Sequence, residues 1–92
     1  MPLFFDWDPV KAEANRRKHG ITFDEAATVF QDFRSGTIID PLDHENEDRF
    51  VTTRQSTQGH LLVVVHADET DTIRIISARP ATKRERNDYS EL

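Results

Sequence analysis

Five basic side chains, Arg74, Arg79, Lys83, Arg84 and Arg86, gather in the stretch RIISARPATKRERNDY. Such a cluster suits a phosphate, because a guanidinium forks onto two phosphate oxygens and a helix N-terminus adds free backbone N–H groups. The rest of the chain makes it conspicuous: the formal net charge is -5 and the pI is about 5.2. That acidity argues against a protein that coats nucleic acid by bulk charge, but it leaves room for a local basic site. Strand periodicity sets Ile73, Ile75, Ser77 and Arg79 on one face and Arg74, Ile76 and Ala78 on the other, so Arg79 is expected to extend a core-facing row to the sheet's edge. The plainer account of Arg79 is a solvated side chain paired with a carboxylate. Lys83 and Arg84 fall in the first turn of a following helix, where the dipole disfavours each by roughly 0.3–1 kcal/mol at low salt. A local rule broken in this way points to a binding site. The alternative is neutralisation by Glu85 and Asp88, for example Arg84 with Asp88 at i,i+4.

Other residues carry weaker signals. Arg17, Lys18 and His19 close a first helix, where cations complement the dipole; His19 is also a candidate acid or base by residue type. The run DPLDHENED offers Asp40, Asp43, His44, Glu45 and Glu47 as metal ligands. It lacks the alternating spacing and turn glycine of a calcium loop, so a solvated acidic loop and no metal are expected. No P-loop, GxGxxG or GxSxG occurs, and the absence of cysteine removes disulfides and thiolate sites.

These residues must be positioned by a small set of elements. LFFDW (3–7) reads as a first strand, and Asp8-Pro9 as a helix start with a capping carboxylate and proline at the first helical position. That helix stops at Gly20. Thr22 and Glu25 form a capping box for a second helix, whose buried face is Phe23, Ala26, Ala27 and Phe30; Ile21 is placed to staple onto Ala26. The period then changes to two. TIID (37–40), RFVTTRQS (49–56), HLLVVVHA (60–67) and TIRIISAR (72–79) read as strands, with the β-branched run at the sheet centre. DETD (68–71) reads as a loop or hairpin turn. Thr82 and Glu85 make another capping box, opening a last helix at Lys83. The expected fold class is α+β: an N-terminal strand and two helices packed on a mainly antiparallel sheet, then a C-terminal helix. One sheet face is left partly open.

A chain of 92 residues with 36% hydrophobic and 32% charged residues predicts one domain over residues 1–92. LLVVV (61–65) is too short to cross a membrane, and MPLFFDWD lacks the basic start of a signal peptide, so a cytoplasmic protein with no membrane partner is expected.

The chain resembles the BrnT toxins of bacterial type II toxin–antitoxin pairs. FDWDPVKAEANRRKHGITFDEA is similar to the family's start at Trp7-Asp8, Lys11, Asn15, Lys18-His19-Gly20, Phe23 and Ala26. DHENEDRF resembles its acidic stretch ending in Arg49. RIISARPATKRERNDY resembles its closing motif at Arg74, Ser77, Ala78, Arg79, Ala81, Glu85, Arg86 and Tyr89. The resemblance covers essentially the whole chain, and KHG-x-x-F together with RIISAR is its specific part. It implies a RelE-like microbial ribonuclease fold, RNA cleavage that blocks translation, and neutralisation by a cognate BrnA-like antitoxin that carries the DNA-binding domain for operator repression.

The residues fit that chemistry. Attack of a ribose 2′-OH on the adjacent phosphate needs a base, cations for the crowded phosphorane and an acid for the leaving oxygen, with no cofactor. Arg79 is expected to carry transition-state charge, with Arg54 on a neighbouring strand as the second candidate. Lys18 and His19 are expected to add charge or move a proton, and Arg74, Lys83 and Arg84 to hold the RNA backbone. No carboxylate is placed as a base unless Glu25 or Glu47 turns toward the arginines. The net charge predicts weak affinity for free RNA, so that either the ribosome presents the substrate or cleavage is inefficient. The rival reading is a non-enzymatic module whose arginines dock an acidic antitoxin helix, making the protein a co-repressor only.

Overall fold

Asp8 starts the first helix by accepting the Val10 N–H on its carboxylate at 2.8 Å, with Pro9 behind it in the first turn. The same helix ends where Gly20 takes φ of 75° and returns its N–H to the Arg16 carbonyl at 2.8 Å. In this computed structural model, residues 4–31, 36–39, 49–69 and 71–90 are described, 36–39 by backbone alone. The elements in chain order are β1 (Phe4–Asp6), α1 (Pro9–His19), α2 (Phe23–Ala27), a 3-10 turn (Thr28–Gln31), β2 (Gly36–Ile39), β3 (Arg49–Gln55), β4 (Leu61–Glu69), β5 (Thr72–Pro80) and α3 (Lys83–Ser90). The α+β order expected from the sequence is observed. The acidic run 40–48 lies outside the described residues, and with it Asp40, Asp43, His44, Glu45 and Glu47.

The sheet has five strands in the order β1-β5-β4-β3-β2. β2 to β5 pair antiparallel, and β1 adds a parallel edge at Phe4 to Asp6 against Thr72 to Arg74. The β-branched run of β4 lies at the centre, as its composition predicts. Most strand boundaries fall within one residue of the sequence reading, but α2 gives way to the 3-10 turn before Phe30, β4 continues through Asp68 and Glu69, and β5 includes Pro80. Pro80 is tolerated there because it is the last residue of the strand.

α1, α2 and the 3-10 turn cover one face. Their Ile21, Phe23, Ala26 and Val29 pack with Leu62, Val64, Ile73, Ile75 and Ala78 in one buried cluster. Trp7 closes its edge against Phe23, ring centroids 6.0 Å apart. Asn15 of α1 is 8% exposed and joins helix to sheet. Its Oδ1 accepts the Ala78 N–H at 3.1 Å, and its Nδ2 donates to the Ala78 carbonyl at 2.8 Å and the Ile21 carbonyl at 3.1 Å.

A β-bulge changes the facing expected for β5. Val65 pairs with Ser77 but His66 pairs with Ile75, so Ile76 is the extra residue. Beyond it the alternation shifts by one. Ala78 and Pro80 join the helix-covered face with Ile73 and Ile75, while Ser77 and Arg79 join Arg74 on the other. Arg79 therefore does not extend the core-facing row; it shares the open face with Arg74.

His66, 1% exposed, is a polar group inside the core. Its Nδ1 donates to the Asp68 carboxylate at 2.6 Å and its Nε2 lies 2.8 Å from the Thr52 hydroxyl. The Phe30 ring meets it edge-on at 4.7 Å and Phe50 stacks at 5.9 Å. Burial pushes this imidazole below its ordinary value of 6.5, and Asp68 offsets only part of the effect. The unfolded chain thus takes up a proton that the folded one resists, and stability falls as pH drops below about 6.5.

Two outcomes are expected. Asn15→Ala leaves the buried N–H and C=O of Ala78 unsatisfied, at roughly 1–3 kcal/mol each, and should lower the thermal midpoint by about 10 °C or more. Urea titrations between pH 7.5 and 5.5 should show the unfolding free energy of the wild type decreasing toward acid, with a flatter dependence in His66→Gln.

Candidate active site

The basic residues of the C-terminal region divide between two places. Arg74 and Arg79 share the open face of β5, and Lys83 and Arg84 continue from it as exposed residues in the first turn of α3. Arg74 is exposed and reaches Asp6 of β1 at 3.3 Å. Arg79 is 39% exposed in its side chain and forks onto Glu85, Nη1 to Oε1 at 2.6 Å and Nη2 to Oε2 at 2.8 Å. Its Nη1 also lies 3.3 Å from the Pro80 carbonyl.

Glu85 earns its place twice. Its Oε1 accepts the Thr82 N–H at 2.8 Å and its own N–H reaches the Thr82 hydroxyl at 3.2 Å, completing the capping box read from the sequence. The Arg79 fork, helped by the Thr82 contacts, holds its carboxyl down to about 2. The same fork raises the Arg79 guanidinium, against a smaller opposing effect of burial. The pair is therefore fully charged at any ordinary pH.

The other candidates are dispersed. Arg54 lies opposite Leu62, which lies opposite Pro80, so its position belongs to the helix-covered face and Arg79 to the other. β4 separates their strands. Lys18 is exposed and lines a groove along α1 with Pro9, Val10, Glu13, Ala14 and Arg17. His19 is half-buried at the end of α1. Glu13 takes Arg16 at 2.6 Å and Arg17 at 3.1 Å, so much of the basic end of α1 is engaged within its own helix.

A second constellation sits at the end of the sheet. Glu25, 6% exposed, does not close the box with Thr22, although its N–H bonds the Thr22 hydroxyl at 3.1 Å. Its carboxylate turns instead to the β3–β4 turn, where Oε2 takes the Ser56 hydroxyl at 2.7 Å and Nδ1 of His60 at 2.7 Å. Neither partner is an arginine. Ser56 in turn accepts the N–H groups of Gln58 and His60 at 3.2 and 3.3 Å, and Gly59 makes the tight turn with φ of 85°. A carboxylate can only accept, so Nδ1 of His60 is the donor in this contact, and Nε2 is the ring nitrogen that Glu25 does not engage. His60 lines an open cavity of about 700 Å³ together with Gly20, Gln55, Pro80, Arg86 and Tyr89.

Sequence reasoning missed His60 as a site residue. The turn signal in STQGH was legible, but its pairing with a carboxylate thirty-five residues earlier was not. Arg86, Tyr89 and Ser90 recur at helical spacing, which is the signal that α3 turns one side to the cavity.

A family model for the ribonuclease toxin BrnT of type II toxin–antitoxin systems matches residues 7–85. The chain belongs to the BrnT family. Its fold agrees with the 1.1 Å crystal structure of the Brucella abortus ribonuclease toxin BrnT, at a TM-score of 0.68 and 18% identity, over 88% of this chain and 99% of that one. No curated protein matches the chain significantly. BrnT toxins are the toxin halves of two-protein systems, so membership implies an antitoxin partner. Among the described residues no helix is long and apolar enough to cross a membrane.

Glu85 occupies the fork of Arg79 that a phosphate would use. Glu85→Gln keeps the capping hydrogen bonds but removes the charge, so helicity by circular dichroism should hold. Its affinity for a 2′-O-methyl RNA oligomer, measured by fluorescence anisotropy, should rise severalfold, and Arg79→Ala in the same background should abolish the gain.

Proposed function

We propose that this protein is an endoribonuclease toxin that cleaves RNA without a metal, arrests translation and is neutralised by a BrnA-like antitoxin. Its fold groups on this reading with the RelE-like ribonucleases, and it works in the cytoplasm. The observation that carries the proposal is the pair of cations that the β5 bulge sets on the open face, Arg74 and Arg79, followed along the chain by the exposed Lys83 and Arg84. RNA presents a line of phosphates, and guanidinium and ammonium groups gathered in one region suit them.

Arg79 is the residue for the transition state. Its planar fork suits two oxygens of a phosphorane, and its ion pair with Glu85 keeps it oriented before substrate arrives. Arg74, Lys83 and Arg84 hold the flanking backbone. Arg54, Lys18 and His19 act from other surfaces, adding positive potential rather than direct contacts at the same phosphate. The net charge of -5 works against free RNA and favours substrate held by the ribosome. Operator DNA is met only through the antitoxin.

The Arg79–Glu85 fork also favours a second reading, since it is the contact an acidic partner helix would make. In that reading the protein only binds its antitoxin and assists repression.

Purified, antitoxin-free protein incubated with total RNA in EDTA separates the two, with translating ribosomes added in parallel. Cleavage that falls by about 100-fold or more in Arg79→Ala, with folding matched by circular dichroism, is the expected result. Arg54→Ala, altered on the opposite face, should lose less. Intact RNA both with and without ribosomes would leave the binding module.

A further inference from the structure

The cationic row supplies charge but no proton acceptor. We propose that His60, oriented by the buried carboxylate of Glu25, is the general base of the ribonuclease and that the cavity between the β3–β4 turn and α3 receives the nucleotide at the cleaved bond. This inference rests on the ribonuclease reading and deepens it.

Four observations converge on it. Glu25 is a carboxylate removed from water, and it is occupied by Ser56 and His60 rather than by a cation. Its hydrogen bond to Nδ1 fixes the tautomer in which Nε2 is free to take a proton, the arrangement in which a carboxylate prepares a histidine for acid–base work. His60 itself is 59% exposed in its side chain, and it lines the cavity rather than the core. The opposite wall comes from one side of α3, where Arg86 brings a cation and Tyr89 a ring that can stack on a base. Pro80, also in the wall, follows Arg79 in β5, and Arg86 follows its partner Glu85 in α3, so the cavity lies at the strand end where Arg79 is held.

The step balances simply. Nε2 of His60 takes the 2′-hydroxyl proton as the 2′-oxygen bonds to the adjacent phosphorus. The bond from phosphorus to the 5′-oxygen breaks, and that oxygen takes a proton from water. The products are a 2′,3′-cyclic phosphate and a 5′-hydroxyl end. His60 is the catalytic residue; Glu25 is a positioning residue, and Ser56 holds Glu25 in place.

A structural staple between α2 and the turn would use the same hydrogen bonds, so the test must separate donation from basicity. His60→Asn places an amide N–H where Nδ1 was and keeps the bond to Glu25, but it has no basic nitrogen. It should keep the wild-type thermal midpoint, lower cleavage by about 100-fold or more and lose the acid limb of the pH–rate profile. Glu25→Gln should lower kcat with little change in KM and displace that limb. Independently of turnover, the imidazole resonances of His60 in the wild type should shift when a 2′-O-methyl RNA oligomer binds. A folded His60→Asn that cleaves within about threefold of the wild type overturns the inference and leaves the ribonuclease reading intact. So do unmoved His60 resonances with the oligomer bound. Wild-type protein that cleaves neither free nor ribosome-bound RNA overturns both.

Discussion

The side-chain amide of Asn15 does the work of a missing strand. β1 accompanies β5 only from Thr72 to Arg74, and beyond that point the outer edge of β5 meets α1 instead. At Ala78 one amide supplies an acceptor for the backbone N–H and a donor for the carbonyl, as a peptide group would. Its second N–H reaches the Ile21 carbonyl in the loop between α1 and α2. Helix, loop and sheet are thus joined at one buried residue, and the two elements that flank the cavity depend on it. Ile21 enters the cavity wall directly, while Ala78 precedes Arg79 and Pro80. Aspartate would lack the donors and leucine would leave three backbone polar groups without partners, so the position requires asparagine.

The bulge at Ile76 decides which surface can be basic. Without it Arg79 would follow Ile73 and Ile75 toward the helices, where a guanidinium loses hydration with no compensating partner. One extra residue turns Ala78 inward, where a small side chain fits beneath α1, and turns Arg79 outward beside Arg74. The same shift delivers Ala78 to Asn15. Core packing and the cationic row are therefore consequences of a single irregularity in pairing.

On the proposed ribonuclease reading, an acidic protein that takes a polyanion must keep its cations from being quenched or left unpaired. Here Arg74 rests near Asp6 and Arg79 on Glu85, each a partly exposed pair whose attraction is weakened by water. Such pairs orient a guanidinium at little energetic commitment, so an incoming phosphate can compete for it. Glu25 is of another kind. Burial makes its two hydrogen bonds hard to exchange for water, which suits a group that orients a neighbour rather than one that lets go.

Local chemistry was legible in the sequence because it depends on residues a few positions apart. Asp8-Pro9, Gly20 and the Thr82–Glu85 box act within one turn of helix, and the alternation of β3 and the apolar run of β4 reflect one strand each. The α+β order followed from those pieces, and the resemblance to BrnT toxins rested on residues quoted in place. What tertiary structure alone decided was every contact in which distance along the chain and distance in space diverge. Glu25 reads as the partner of Thr22, three residues away, yet its carboxylate is claimed by Ser56 and His60 once α2 packs against the β3–β4 turn. Arg79 reads as core-facing under a strict period of two, and pairing with β4 adds the residue that reverses it. A sequence states which groups are available to cap, pair or titrate; packing chooses among them, because burial makes each unsatisfied donor or acceptor costly and leaves the chain one arrangement that satisfies them together.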